Sequence, residues 1–459
     1  MESTAPVALG PGRAVVLATG PAPAEMRAIV AVRGGWVAGG GIPRPDGHGM
    51  VGWAWGLDPE GRPRWAQRCV GGGGGAVVRA LDRAPGGDVW LGASVDGPLR
   101  CQTRRGNQKV EKALANENDV GGGDGATQAR GQRVLWARLD QVTGIWRGAW
   151  SLDPEPRSGP DAGRGEVHLA DLVTSSGGDL VLGGWSYGGV RAGEVRVDAP
   201  PRDEGRSGFV ARVSPTGTVR WWRYVTARDV RGTVTGVSVD GDAVFVTGNE
   251  NTAADGVRPH EPSRGEDAFI AALDAAGGAV RWRRTLSSPG RDSGTAIAAS
   301  GETVVAVGYV GGTVVTSDGL NLHAYGRVDA YALGLDRAGV VVWQHAFGGG
   351  GSDVANAIAW RGDDVAIGGR FRGTVDFALG GLGPGGAWRA TGHAGGSPFV
   401  VRYRGDGRER ALFTPREPTA ARFDGLTVDD RGNLAAVGTA TGRDGRTELR
   451  FVTVPSSSP

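Results

Sequence analysis

Seven copies of a strand phrase ending in glycine, tight glycine-bearing turns between apolar runs, and two chain ends that complement each other predict an all-β fold. The class is a seven-bladed β-propeller of four-stranded antiparallel blades, closed by pairing of an N-terminal strand with the C-terminal blade. The copies are Val37-Ala38-Gly39, Trp90-Leu91-Gly92, Val181-Leu182-Gly183, Val246-Thr247-Gly248, Ala306-Val307-Gly308, Ala366-Ile367-Gly368 and Ala436-Val437-Gly438. Their spacings are 53, 91, 65, 60, 60 and 70 residues. A period near 60 made only of short strands means one unit repeated radially or in a stack. Length alone would suit two or three ordinary domains. A closed array uses all of it, and 1–459 is read as a single β-propeller domain.

Each repeat reads as strands a to d. Strand a is a small-to-medium apolar run, as in Val77 to Leu81, Leu169 to Val173 or Thr295 to Ala299. A tight turn such as Gly34-Gly35 or Asp240-Gly241 follows, because glycine reaches positive φ without steric cost. Strand b is the repeated phrase. Strand c opens on an aromatic residue and alternates, as in Phe209 to Val213, Phe269 to Leu273, Tyr331 to Leu335 and Phe399 to Tyr403. The c–d turns, such as Ser214-Pro-Thr-Gly217 and Asp336-Arg-Ala-Gly339, pair a side chain that bonds turn backbone with a left-handed glycine. Strand d carries a tryptophan: Trp65, Trp146, Trp221, Trp282 and Trp343. A cofactor box is one reading of that series; a repeated core anchor between neighbouring sheets is the favoured one.

Blade 7 has strands a, b and c and then the chain stops, so Ala14 to Ala18 is expected to supply its fourth strand. Such pairing removes the exposed edge of an open array. The longest insertion, 97–132, is a polar loop in the second blade; Gln108 to Asn118 is expected to form a short helix and Gly121 to Gly125 to be a flexible stretch. It reads either as a lid or partner-docking loop or, preferably, as a tolerated insertion.

The stretch from Asp329-Ala-Tyr331 through Trp343, Phe347-Gly-Gly-Gly-Gly-Ser-Asp353 and Gly368 to Phe377 resembles the bacterial seven-bladed propeller repeat of the SBBP type. Blades 4 to 6 match best, and blade 6 has Ala411-Leu412 where that repeat carries tryptophan. The motif defines a scaffold without a catalytic residue, and the resemblance implies an exported or cell-surface setting, although the chain shows no signal peptide. Ala137 to Trp146 is similar to the tryptophan-docking motif of quinoprotein propellers, one residue short before its tryptophan and without their adjacent cysteines.

Net charge is +2, with 51 basic and 49 acidic residues interspersed, which gives no electrostatic footprint for nucleic acid. No apolar run is long enough for a membrane span. Cys69 and Cys101 can pair in an oxidising compartment or stay as thiols in a reducing one.

Because strands alternate in direction, the a–b and c–d turns share one face and the b–c and d–a connections the other. The longer b–c connections make that second face the expected ligand or partner face. Aromatic residues that follow strand b or lie in its loop, Trp185, Tyr187, Tyr309, Tyr325, Phe371 and Trp388, are the ligand-binding candidates, with Arg327, Arg370 and Arg389 nearby. Such amphipathic rings suit sugar or peptide stacking, and some must pack between blades instead. Asp292 and Asp353 occupy equivalent places before strand a; they either ring a channel mouth and hold a cation or polar ligand, or accept hydrogen bonds from the d–a loop. His48, His260, His323 and His393 are spread over four blades, so no metal site is expected. No phosphate loop, nucleophile elbow or other catalytic constellation is present, and no cofactor is expected. The reading is a non-enzymatic scaffold for an unknown protein, peptide or glycan. The alternative is a hydrolase, lyase or quinone-dependent dehydrogenase working at a central depression.

Overall fold

The computed structural model describes residues 13–71, 75–105, 108–114, 132–155, 165–198, 206–226, 231–251, 266–316, 318–378, 388–415 and 419–454. The fold is all-β, with seven four-stranded antiparallel blades of a β-propeller. Blade 1 comprises Glu25–Val32, Gly35–Pro43, Met50–Leu57 and Pro63–Val70. Blade 2 comprises Ala76–Arg83, Val89–Asp96, Gln132–Leu139 and Trp146–Pro154; blade 3, Glu166–Thr174, Leu180–Tyr187, Ser207–Val213 and Val219–Tyr224. Blade 4 is Gly232–Asp240, Ala243–Glu250, Asp267–Asp274 and Val280–Leu286; blade 5, Ser293–Ser300, Thr303–Val310, Asp329–Asp336 and Val341–Phe347. Blade 6 is Val354–Arg361, Asp364–Phe371, Ser397–Arg404 and Glu409–Phe413. In blade 7 the strands Ala421–Val428, Leu434–Thr441 and Thr447–Val454 are completed by Arg13–Gly20, which pairs with Thr447–Val454 as the chain ends predicted.

Packing divides the chain into two compact units. One comprises Met1–Val15, Thr235–Gly445 and Arg450–Pro459, and the other Val16–Val234 with Arg446–Leu449. Within each, strands b and c supply most of the core. Val304 to Val307 and Tyr331 to Leu333 are fully buried in the first unit, and Leu180, Leu182, Phe209 and Ala211 in the second. These strands lie between two neighbours in their own sheet and carry sheets on both faces, hence their near-continuous apolar runs.

The d-strand tryptophans join consecutive blades by a repeated contact. Trp343 is buried, its Nε1 donates to the Gly405 carbonyl at 2.8 Å, and its ring lies between Gly334 of its own blade and Gly407 of the next. A Cβ at either glycine would come within 2.7 Å of the ring, and Gly407 also has φ +86. Trp282 repeats the contact with the Arg337 carbonyl and Gly339, and Trp65 with the Gln141 carbonyl and Gly144. In blade 2 the contact passes from Trp146 to Trp150, which meets Gly217 of blade 3. Trp146 instead packs in the core cluster with Trp65 and Leu139. Gly148 stands opposite Arg138, at the paired position that Trp282 and Trp343 hold in their blades, and Trp146 lies opposite Leu139.

Strand a carries a bulge that the sequence did not announce. The register slips at Met26/Ala28, Val78/Ala80, Leu169/Asp171, Gly294/Ala296, Ala355/Ala357 and Phe423/Gly425. A bulge re-aims its extra residue. In the first unit the bulge residues Thr295 and Asn356, and Thr235 of blade 4, tie successive a strands together: Thr235 donates to the Gly294 carbonyl at 2.7 Å, Thr295 to that of Ala355 at 2.5 Å, and Asn356 to that of Phe423 at 3.1 Å.

The expected helix over Gln108 to Asn118 is corrected: Gln108–Leu114 is a strand, paired with Leu99–Arg105 in a hairpin. That hairpin extends the outer edge of blade 1 through pairing of Pro63–Val70 with Leu99–Arg105. The apolar positions Val110, Ala113 and Leu114 have helical spacing, and pairing with Leu99–Arg105 in the hairpin overrides that local pattern. Gly121 to Gly125 and His260 lie outside the described residues. A smaller hairpin from the b–c connection of blade 3, Val190–Ala192 and Val195–Val197, likewise widens blade 2. Cys69 and Cys101 stand opposite each other across the blade 1 junction and form a disulfide. Reduction, or a Cys69→Ser/Cys101→Ser variant, is expected to raise amide exchange in Leu99–Arg105 and Gln108–Leu114 while Met50–Leu57 stays protected. Uniform loosening of blade 1 would show instead that the bridge holds the whole sheet.

Candidate functional site

The b–c and d–a connections of blades 4 to 6 are held by buried carboxylates. Asp292 is fully buried and accepts from Ser288 N at 2.6 Å, Ser288 Oγ at 2.7 Å and Gly311 N at 2.9 Å. Asp353, one repeat later, accepts from Gly349 N at 3.0 Å and Arg372 N at 2.7 Å. Each therefore ties the d–a loop before its own strand a to the chain leaving strand b, and burial raises both pKa values. These bonds occupy both oxygens of each carboxylate. Among the described residues no three His, Cys, Asp or Glu side chains converge on a metal position.

Asp329, at the start of strand c in blade 5, completes the second staple. It is fully buried and accepts from the backbone N–H groups of Tyr325 and Gly326. Burial, then the neighbouring Asp353 carboxylate, pushes its pKa up to about 6. Arg327 N donates to the Gly351 carbonyl at 3.1 Å, and Asp353 N to that of Val328 at 2.8 Å. The loop from Tyr325 to Val328 is therefore fixed along its backbone while Tyr325 is 57% exposed. The Tyr325 ring meets His323 edge-on at 5.0 Å, and His323 in turn bonds Thr313 Oγ1 at 2.7 Å. His323 and Arg327 are exposed beside it.

The other aromatic candidates are less available. Phe371 is buried in a ring cluster with Phe377 and Phe399, and Trp388 packs in the same core. These two are corrected from ligand candidates to core residues: the b–c connection of blade 6 folds back and covers them. Trp185 is half-buried; His168 stacks on it at 3.7 Å and the Arg206 guanidinium lies 4.6 Å from its centroid. A ring stacked at 3.7 Å leaves no room on that face for a cation, so the faces of Trp185 are shared between His168 and Arg206. Burial lowers His168 to about 4 although Glu166 stands 3.2 Å from its Nε2. Tyr187 is half-buried at the end of the same strand. Tyr309 is half-buried opposite Ser293, and burial followed by the Glu266 charge raises its pKa.

One group of side chains at this face was not assembled by sequence reasoning. Arg370 is the last residue but one of strand b of blade 6, Arg372 follows that strand, and Arg422 is the second residue of strand a of blade 7. Burial, then the cations of Arg372 and Arg422, lowers the Arg370 pKa. Asp424 is already engaged, by Arg422 Nε at 2.7 Å and Asn356 Nδ2 at 3.1 Å. The Nε atoms of Arg370 and Arg372 are buried without a hydrogen-bond partner, and neither guanidinium has an ion-pair partner within 4.0 Å among the described residues. Arg370 was visible only as a residue near aromatic rings. Arg422 comes from the next repeat, and a one-blade pattern cannot show it.

No family model matches the chain, and no curated protein matches it in sequence. It is similar in structure to the polysaccharide lyase Uly1, with 11% identity over 96% of this chain and 90% of that one and a TM-score of 0.45. Sqt1 from Chaetomium thermophilum gives 12% identity, 96% and 99% coverage and 0.45. Quinohemoprotein alcohol dehydrogenase from Comamonas testosteroni gives 13% identity, 97% and 78% coverage and 0.42. At these values no activity is carried over to this chain, and the likeness to SBBP repeats stays a resemblance. No helix among the described residues is long and apolar enough to cross a membrane.

Proposed function

We propose that this chain is a binding module whose ligand, a protein segment, peptide or glycan, is taken on the face of the b–c and d–a connections. The observation that carries this reading is Tyr325: a large aromatic ring held out to solvent on a loop whose backbone is tied down by buried Asp329 and by Gly351. A rigid exposed ring loses little conformational entropy on binding, and with an arginine beside it has the composition of an interface anchor. Exposed His323 and Arg327 flank it with polar donors. The Cys69–Cys101 disulfide supports an oxidising, exported setting.

The test is capture on a glycan array and an immobilised peptide library by the full chain and by Tyr325→Ala. The exposed ring makes no core contact, so the variant should melt with the wild type. Its affinity for whatever the wild type retains should fall roughly tenfold or more. Unchanged retention would remove Tyr325 from the site. Wild-type failure on both panels would count against the binding reading itself.

A further inference from the structure

We propose that Arg370 and Arg372, with Arg422 beside them, form a subsite for an oxyanion group of the ligand: a carboxylate, or a sulfate or phosphate ester. This rests on the reading that the b–c and d–a face binds a ligand, and it names the chemistry that one part of that face recognises.

Half-buried charges are normally paired, since partial loss of water is unfavourable unless a counter-charge replaces it. Arg370 and Arg372 are both half-buried, and each has a fully buried Nε that donates to nothing. The nearby carboxylates are committed elsewhere: Asp424 to Arg422 and Asn356, and Asp353 to the backbone N–H groups of Gly349 and Arg372. The Asp424 and Asp353 charges act on Arg370 less strongly than the Arg372 and Arg422 cations, so the repulsion among the three arginines is only partly offset. A guanidinium presents a planar fork of donors matched to two oxygens of one oxyanion, so a single such group can engage more than one of these arginines and relieve their repulsion. Arg370 is also fixed in place. Its Cα is in register with Val354 and Pro398, and its stem runs past Gly396, where a Cβ would come within 2.5 Å of Arg370 Cδ. The site is thus preorganised, and Gly396, at φ +111, leaves room for the stem.

The experiment is thermal unfolding and titration calorimetry of the full chain with sodium sulfate, sodium phosphate and sodium glucuronate. Sodium chloride at matched ionic strength and neutral glucose are the controls. An Arg370→Gln/Arg372→Gln variant removes two unpaired cations and breaks no ion pair, so without ligand it should melt at or above the wild-type temperature. The wild type should show a saturable rise in melting temperature with an oxyanion and none with glucose, and the double variant should lose at least tenfold in affinity. Preference for glucuronate identifies a carboxylate ligand, and preference for sulfate or phosphate identifies an ester. No saturable oxyanion response, an equal response in the variant, or a variant less stable than wild type would each overturn the proposal. Tyr325→Ala should keep the oxyanion response. Loss of macromolecular capture with the oxyanion response intact therefore concerns Tyr325, and the converse concerns the arginines.

Discussion

Replacing Trp343 by alanine is expected to destabilise the protein by about 3–5 kcal/mol, the range for deleting a buried aromatic side chain. Two losses coincide there. The ring leaves the interval between Gly334 and Gly407, and loss of its Nε1 bond strips the Gly405 carbonyl of that donor. The reciprocal change, Gly407→Ala, should be similarly severe, because the added Cβ meets the indole at 2.7 Å and the residue must hold φ +86. Since each contact joins consecutive blades, the damage should be felt in both. Far-UV circular dichroism against guanidinium gives the midpoint, and Val342→Ala, at a side chain 60% exposed, is the control expected within 0.5 kcal/mol of wild type. A Trp343→Ala midpoint close to that of the control would show that the tryptophan series fills space without holding blades together.

A second large effect is expected from pH. The ordinary carboxyl value for Asp329 is 3.8, and in the folded chain it is raised to about 6. The folded state therefore holds this proton more tightly than the unfolded one. The stabilisation is fully present below about pH 4 and is lost as pH rises through about 6, which places two buried carboxylates, Asp329 and Asp353, in charged proximity. A gap of that size is worth on the order of 2–3 kcal/mol. His168 works in the opposite sense: its value falls from 6.5 to about 4, so its neutral form favours the folded state and stability rises with pH across that interval. The clean measurement is consequently the difference between Asp329→Asn and wild type at each pH. Asparagine keeps an acceptor for the Tyr325 and Gly326 N–H groups and does not ionise. Relative to wild type, the variant should gain about 1.4 kcal/mol between pH 5 and pH 7.5. Carboxylates lowered by arginine, such as Asp318 and Asp274, titrate below this window and leave the difference untouched. A difference that stays flat with pH would mean that Asp329 and Asp353 do not share a proton-sensitive environment.

Local signals carried the architecture. The period of the strand phrase, the glycine at each c–d turn and the unmatched strand at Ala14 to Ala18 state the blade count and its completion, because hairpin geometry is set within a few residues of chain. The staple role of Asp292 and Asp353 was one of two readings open from their equivalent spacing; the bonds they make are to loop backbone. What sequence could not decide was which polar or aromatic residue meets a neighbour from another repeat. Phe371 and Trp388 look as exposed as Tyr325 when read along the chain, yet one loop folds over its rings and the other is pinned with its ring outward. Trp146 fits the tryptophan series along the chain, but Gly148 takes the paired position that Trp282 and Trp343 hold in their blades, and Trp150 makes the contact with the next blade. Gln108 to Leu114 is a strand because it pairs with Leu99–Arg105, which itself fills the edge of blade 1. The unpaired arginines 370 and 372 come together with Arg422 only through the packing of one blade on the next. Backbone pairing is decided by short-range pattern, whereas burial, ion pairing and ligand chemistry depend on side chains some sixty residues apart, and only tertiary packing brings those together.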